Sequence, residues 1–549
     1  MTVATAERPN LLFLMTDQQR WDALGCAGHP VVRTPNLDAL AQSGVRFREA
    51  CTSTPVCVAA RMSFITGHRI ARHHWTTNFA LPGPVPELPT LMTLLLRAGY
   101  WTHGVGKMHF RGRYYGFRSR RTMEECVRHA VDDDYIRYLR DRAVRTAFPH
   151  GLRDLLYYQP QTSGIPRQHH PNTWVAARSV EFLREHARYR PDQPFFLWSS
   201  WIAPHPPFAP CEPYDEMYDP AEVPPPVHTE RAVSDLPSAL WPDRARLDGA
   251  HRDPERIRRI RALYYGQISH VDESIGRILD ELGSLGLADD TVVLFFSDHG
   301  DMLGDHGLSQ KGCPYEAAVR VPLLLRWPGR AAAGRVCDDL VGLTDVLPTL
   351  VEQLGLEYPE SEHGALPGAS LLGAAGGGLA ANRDVFVIDY GHGRKRWIAL
   401  RSRRYKYAFH ACDGGREEWY DLGADPHETR DLAAEQPGLA AAFRRRALDW
   451  EREHGPPGTL DGDRFRTYPA PEHVPSEDEC RAVILNQGRW PRNLPGDERD
   501  SIETYAEAFT RAIRKETALA PGKLSLAEYK AKGGRPLTGT PWEGGWESA

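Results

Sequence analysis

Two apolar runs, each the length of one strand and each ending in a carboxylate, constrain this chain most. The first is Asn10-Leu-Leu-Phe-Leu-Met-Thr-Asp17-Gln18; the second, far downstream, is Thr291-Val-Val-Leu-Phe-Phe-Ser297-Asp298-His299-Gly300. A strand apolar at every position is buried on both faces, as in a parallel sheet covered by helices. In open α/β sheets, functional groups collect at the C-terminal strand ends. Two such ends can bring Asp17, Gln18, Asp298 and His299 around one cation that prefers oxygen ligands. The competing local reading makes Asp17 a cap for the turn that follows it.

Between these runs lies Cys57-Val-Ala-Ala-Arg61-Met-Ser-Phe-Ile-Thr-Gly67, a loop entering a helix, with Thr52-Ser-Thr-Pro55 marking its start and Gly67 its stop. Cys57 falls in the first turn, where free N–H groups favour negative charge, and Arg61 lies on the same face one turn later. A nucleophile and a guanidinium at one helix end suit a tetrahedral oxyanion such as sulfate or phosphate. A buried cysteine in an ordinary amphipathic helix is the competing reading. Residues 100–105 form a short strand leading to Gly106-Lys107-Met108-His109-Phe110, where an extended backbone would place Lys107 and His109 on one face. Residues 194–201 form another buried strand, ending at Ala203-Pro204-His205-Pro206-Pro207, whose prolines hold His205 outside any helix.

Cys-x-Ala-x-Arg followed by an apolar run and Thr-Gly resembles the signature of the formylglycine-dependent (type I) sulfatase family, in the alkaline phosphatase superfamily. Most members have proline where this chain has Ala59. Gly106-Lys107-x-His109, Pro204-His205-x-Pro207 and Ser297-Asp-His-Gly-Asp-Met-Leu-Gly-Asp-His-Gly307 with Lys311 are similar to the family's other motifs, and the resemblance spans residues 9–454. It implies that a formylglycine-generating enzyme converts Cys57 to formylglycine, whose hydrate attacks sulfur on a divalent metal held by Asp17, Gln18, Asp298, His299 and residue 57. Calcium comes first, with manganese or magnesium as alternatives because His299 adds a nitrogen where many arylsulfatases have Asn. It further implies that Arg61, Lys107 and Lys311 hold the developing charge and that His205 or Lys311 protonates the departing oxygen. The resemblance also implies that His109 deprotonates the second hydroxyl and that Asn78 contacts substrate.

The expected substrate is a small aryl or alkyl sulfate monoester. Phosphonate monoester and phosphodiester hydrolases share the implied fold and metal set, but tend to lack Gly-Lys-x-His. A choline sulfatase and a non-catalytic anion-binding relative are further alternatives.

The chain's 549 residues exceed one ordinary core. The expected fold is α/β: a large, mostly parallel sheet sandwiched by helices over residues 1–375, and a smaller α+β subdomain over 376–455. That subdomain is read from strands at 384–390, 397–401 and 404–409 and a helix at 438–454. Residues 456–549 are an extension with one helical stretch, 501–516, that could cover the site or join a homo-oligomer. The helices at 174–186, 254–285 and 344–354 and the strand at 319–327 belong to the large unit. Residues 212–253 read as a surface excursion and 371–381 as a flexible loop; the aromatic region 111–172, with Tyr157 and Tyr158, reads as the substrate mouth.

A formal charge of −5 gives no general attraction to nucleic acid or anionic membrane. The N-terminus lacks a secretion-signal layout, and nine scattered cysteines do not look like a disulfide framework. A cytoplasmic, reduced protein is the expectation.

Overall fold

The computed structural model describes residues 8–110, 112–125, 133–144, 146, 149–151, 158, 160–229, 236–240, 253–375 and 383–470. The helical expectation at 501–516, Tyr157, and the extension from 471 onward lie outside them.

The strands are β1 (Asn10–Asp17), β2 (Val45–Cys51), β3 (Trp101–Gly106), β4 (Ser119–Thr122), β5 (Phe195–Pro204), β6 (Thr291–Ser297), β7 (Leu323–Arg326), β8 (Arg335–Gly342), β9 (Phe386–Tyr390), β10 (Trp397–Arg401), β11 (Tyr405–His410) and β12 (Arg416–Asp421). Eight form one sheet in the order β4-β3-β5-β1-β6-β7-β2-β8. All its neighbours are parallel except β7, which runs against β6 and β2.

Side chains alternate across the pleat, so β1 feeds two cores. Leu11, Phe13 and Met15 pack with Val58, Met62 and Leu347 on one face. Leu12 and Leu14 pack with Trp174, Val271 and Ile275 on the other. Burying each such aliphatic side chain is worth about 1.5–3 kcal/mol. The helices Pro171–Tyr189 and Pro254–Ser284 cover the second face, while Cys57–Thr66, Leu91–Arg97 and Val346–Leu354 cover the first. Since β1, β3, β5 and β6 are mutually parallel neighbours, their C-terminal ends share one edge of the sheet.

A second, antiparallel sheet has the order β12-β11-β10-β9, with Ala440 and Ala447 of the helix Pro437–His454 in the core against it. Buried ion pairs tie the two sheets together: Glu316 meets Arg401 at 3.0 Å and Lys406 at 2.8 Å, and Lys406 also meets Glu428 at 2.6 Å.

Three expectations change. Residues 319–327 are not one strand: a short helix, Glu316–Val319, precedes β7, and Pro322, which has no N–H to give a ladder, stands at the break. Leu371–Ala375 is helical rather than loop, its first N–H bonded to Thr349 Oγ1 at 2.8 Å; residues 376–381 lie outside the described set. The 212–253 excursion is packed where described, with Tyr218 and Val223 against the long helix and Leu236 and Leu240 against Tyr315. None of the seven cysteines among the described residues forms a disulfide. No helix among the described residues is long and apolar enough to cross a membrane.

Candidate active site

The site forms where the strand ends meet the N-terminus of the helix Cys57–Thr66. Every residue of that helix is buried, and Gly67 closes it in the left-handed region at φ 68°. Cys57 is its first residue. The N-cap, Val56, offers no side-chain bond; Asn78 supplies one from outside, its Oδ1 accepting the Val58 N–H at 3.1 Å. Asn78 is thus placed beside Cys57, with this oxygen engaged in the cap.

The pairing of β1 with β5 shifts register between Met15 and Asp17, and Gln18 follows with φ 67°. A bulge of this kind re-aims a side chain at a sheet edge. Asp17, Cys57, Asp298 and His299 each put one ligand-type atom within 4.8 Å of the others, all buried. Cys57 Sγ lies 3.2 Å from His299 Nε2 and 3.6 Å from Asp17 Oδ1. His299 Nδ1–H donates to the Gly300 carbonyl at 3.0 Å, which leaves the Nε2 lone pair facing the cluster. Burial, with Lys311 nearby, pushes His299 down to about 3, so the ring is neutral.

The carboxylates behave as a pair. Burial raises both, but Lys107, His205 and Arg61 outweigh it at Asp17 and hold that group well below its usual range. Asp298, facing the Asp17 charge as well as burial, is pushed up to about 7. An additional cation would return the pair to full ionisation. Two carboxylates, a neutral imidazole and residue 57 therefore fit a divalent metal. Gln18 stands beside them: its N–H donates to Asp298 at 3.1 Å, its side-chain amide to Asp301, and its Oε1 accepts from Lys311.

Arg61 serves the carboxylates first. Its Nη2 bonds Asp17 at 2.9 Å, its Nε bonds Asp298 at 3.0 Å, and its Nη1 donates to the Lys107 carbonyl at 2.6 Å and to Ser200 at 3.2 Å. The helical spacing from Cys57 puts the guanidinium at the site as expected, but most of its donors are committed to the protein.

Lys107 and His109 are not on one extended segment. β3 stops at Gly106, with φ 91°, where a Cβ would sit 1.9 Å from the Ser200 carbonyl, and His109 has φ 59°. Glu124 braces this turn by accepting the N–H groups of Met108 and His109 at 3.0–3.1 Å. The turn buries Lys107 completely and leaves His109 half-buried. Lys107 Nζ is fully buried, 2.8 Å from Asp17 and 2.6 Å from Glu125. Burial and Lys107 push His109 down to about 3, and its Nδ1 has no hydrogen-bond partner among the described residues.

On the opposite side, Lys311 Nζ lies 3.0 Å from His205 Nε2. His205 Nδ1–H donates to the Pro206 carbonyl at 2.7 Å, so Nε2 accepts from the lysine. Burial holds His205 well below its usual range, with Lys311 and Lys107 adding to it and Glu125 opposing.

Glu124, Glu125, Ser200 and Asp301 escaped the sequence reading. The Glu124-Glu125 pair follows an irregular basic stretch with no periodicity, and Ser200 lies inside an apolar strand. Asp301, within the Asp-His-Gly-Asp run, carried a signal: it accepts from Gln18 and from Tyr158 at 3.1 Å. Tyr158 is 1 % exposed, so it supports the site from beneath rather than lining an open mouth.

The family profile described as Sulfatase matches residues 9–356, and one described as N-sulphoglucosamine sulphohydrolase, C-terminal, matches 304–444. An arylsulfatase of Clostridium perfringens is 30 % identical over 490 residues, covering 84 % of this chain and 98 % of its own. A choline-sulfatase of Rhizobium meliloti is 31 % identical over 470 residues, covering 82 % and 88 %. The crystal structure of a phosphonate monoester hydrolase of Agrobacterium radiobacter superposes with a TM-score of 0.70 at 27 % identity, over 81 % of this chain and 96 % of that one.

Proposed function

The chain belongs to the sulfatase family, hydrolases acting on sulfate esters, and on that premise we propose that it cleaves a small aryl or alkyl sulfate monoester to an alcohol and inorganic sulfate. The observation that carries this reading is the buried cluster of Asp17, Cys57, Asp298 and His299 at the N-terminus of the Cys57 helix, flanked by Lys107 with His109 and by Lys311 with His205.

Sulfate esters resist cleavage because their charged oxygens repel a nucleophile and the alcohol leaves poorly; fixed cations and donors lower both barriers. Asp17, Gln18, Asp298, His299 and residue 57 would hold the metal, calcium before manganese or magnesium, and when bound it would supply Lewis acidity toward the sulfate oxygens. The Cys57 thiol is a poor nucleophile here: burial and the Asp17 carboxylate push it up to about 12. Formylglycine, made from Cys57 by a formylglycine-generating enzyme, would supply an oxygen nucleophile and a second hydroxyl for sulfate release.

This chain's own residues do the rest. Arg61 bridges Asp17 and Asp298 and favours their charged forms. Lys107 faces the sulfate with its charge, and Lys311 approaches from the other side. The Lys311–His205 pair shares one proton, poised for the departing oxygen. His109, neutral and half-buried with a free Nδ1 among the described residues, is the base on the releasing side.

A second reading, hydrolysis of phosphonate monoesters or phosphodiesters, is favoured by the Agrobacterium radiobacter likeness. The deciding experiment compares kcat/KM for an aryl sulfate and an aryl phosphonate monoester on protein matured beside a formylglycine-generating enzyme. Preference for the sulfate supports the first reading; strong preference for the phosphonate overturns it in favour of the second. Turnover of neither, with Cys57 shown by mass to remain a thiol, leaves a non-catalytic anion-binding relative.

A further inference from the structure

Away from the strand-end cluster, a second group of donors meets in the interior. His170 caps the helix Pro171–Tyr189, Cys211 lies in the loop leaving β5, and His270 sits in the middle of the helix Pro254–Ser284. Each places one ligand-type atom within 4.8 Å of the other two, and the residues are 3 %, 1 % and 1 % exposed.

The geometry is that of ligands around a common point. Cys211 Sγ stands 3.8 Å from His270 Nδ1. Bonds of about 2.3 Å to sulfur and 2.0–2.1 Å to nitrogen set a tetrahedral S···N edge of about 3.6 Å around zinc. The two imidazoles lie 4.8 Å apart and tilted by 36°, rather than stacked flat. Their other nitrogens are held from outside: His270 Nε2 is 2.9 Å from Thr173 Oγ1, and His170 Nε2 is 3.4 Å from the Ala209 carbonyl. Outer bonds of this kind orient ligating rings. The Tyr214 ring stacks on His270 at 4.3 Å and fixes its plane. His170 Nδ1 also accepts the Asn172 N–H at 3.3 Å, a long cap bond that a bound metal would displace.

A satisfied polar core would explain the histidines, and a small apolar side chain would serve as well as Cys211 for packing alone. A thiol and two neutral imidazoles converging from three separate elements suit a borderline-soft cation and not calcium or magnesium. We propose that His170, Cys211 and His270 form a second metal site, for Zn²⁺ or an ion of similar softness, separate from the hard-cation centre. Binding forms one metal–sulfur and two metal–nitrogen bonds, and the thiol proton leaves to solvent; no electron is transferred. The site ties two helices to the far end of the loop that begins at His205, and so clamps that loop.

The test uses the full chain carrying Cys57→Ser, which removes the sulfur of the other cluster, stripped by a chelator and titrated with Co²⁺. The expected result is a thiolate-to-cobalt charge-transfer band saturating at about one equivalent and bleached by Zn²⁺. The band is lost on adding Cys211→Ser or His270→Asn with the circular dichroism unchanged. Absence of the band, or its survival in a folded Cys211→Ser chain, overturns the site. Should those variants not fold, peptide-resolved alkylation of the Cys57→Ser chain in mild urea decides. Zn²⁺ then slows labelling of Cys211 by about tenfold or more if the site exists, and equal rates with and without it reject the site. None of these readouts depends on activity, so failure here leaves the proposed hydrolase reading untouched.

Discussion

Cys57 Sγ and His299 Nε2 face each other at 3.2 Å, one at the start of a helix and the other just past a strand end, 242 residues apart in the chain. The imidazole is neutral and the thiol is held protonated by burial and by Asp17. At pH 8 a thiol pushed up to about 12 is ionised in about one molecule in ten thousand. Unconverted Cys57 in the folded chain should therefore resist iodoacetamide and react readily once the chain is unfolded. Fast labelling of Cys57 in folded protein, located by peptide mass, would falsify this picture of the site.

Arg61 is fully buried between two carboxylates. Arg61→Ala leaves them facing each other without their bridge and should cost about 3–5 kcal/mol of stability, measured by urea denaturation of metal-free protein. Arg61→Lys keeps the charge but not the fork, and a smaller loss is expected. Equal stabilities for the two variants would show that a positive charge without the fork stabilises nothing here.

Lys311 stands beside His205 at 3.0 Å, on the side proposed for the departing oxygen. Lys311→Ala should reduce kcat about 10²–10⁴-fold for an alkyl sulfate and far less for 4-nitrophenyl sulfate, whose leaving group needs no proton. Equal losses for both substrates would place Lys311 on the sulfate oxygens alone.

Two carboxylates and a single imidazole suit a hard or intermediate cation. Chelation should abolish turnover, and calcium, manganese or magnesium should restore it better than zinc does. His299→Ala should raise the metal concentration needed for half-maximal activity by about tenfold or more. Full activity after exhaustive chelation, checked by elemental analysis, counts against a metal at this centre.

Asp272 ties the start of the helix Pro35–Gln42 to the long helix by accepting from Leu37 N–H at 2.8 Å and from Asn36. Burial raises it to about 6 despite these bonds. The folded chain thus binds a proton more tightly than the unfolded chain, so stability from this group is greatest below the ordinary carboxylate pKa and falls as pH rises toward 6. The fall is of order 1–3 kcal/mol. In Asp272→Asn that component of the slope between pH 4 and 6 should vanish, as read from urea midpoints of the two proteins; an unchanged slope assigns the pH dependence elsewhere.

Much of the site was legible because its residues sit at the punctuation of strong local signals. Asp17 and Asp298 end all-apolar strands, Cys57 opens a helix closed by Gly67, and His205 follows a buried strand between prolines. Lys107 and His109 were legible as a pair but not as a conformation. Whether two residues share an extended face depends on the backbone between them, and the close approach of Gly106 to Ser200 with the brace from Glu124 forces a turn there. Glu125 was invisible for a related reason: a carboxylate in an aperiodic stretch shows its purpose only when Lys107 is seen beside it.

By itself, the sequence determined the α/β class, the strands that cross the core and the residue types at their ends. Hydrophobic run length and helix punctuation are local properties, carried by neighbours in the chain. The tertiary structure decided which ends meet. Strand order brings β1 between β5 and β6, and only then do Asp17, His205 and Asp298 share an edge. It also decided what each charge is spent on. Arg61 binds carboxylates because two strand ends leave them on either side of it, and burial sets the protonation of Cys57, His109 and His205. Those are consequences of desolvation and of distances between groups far apart in the chain, which no local pattern records.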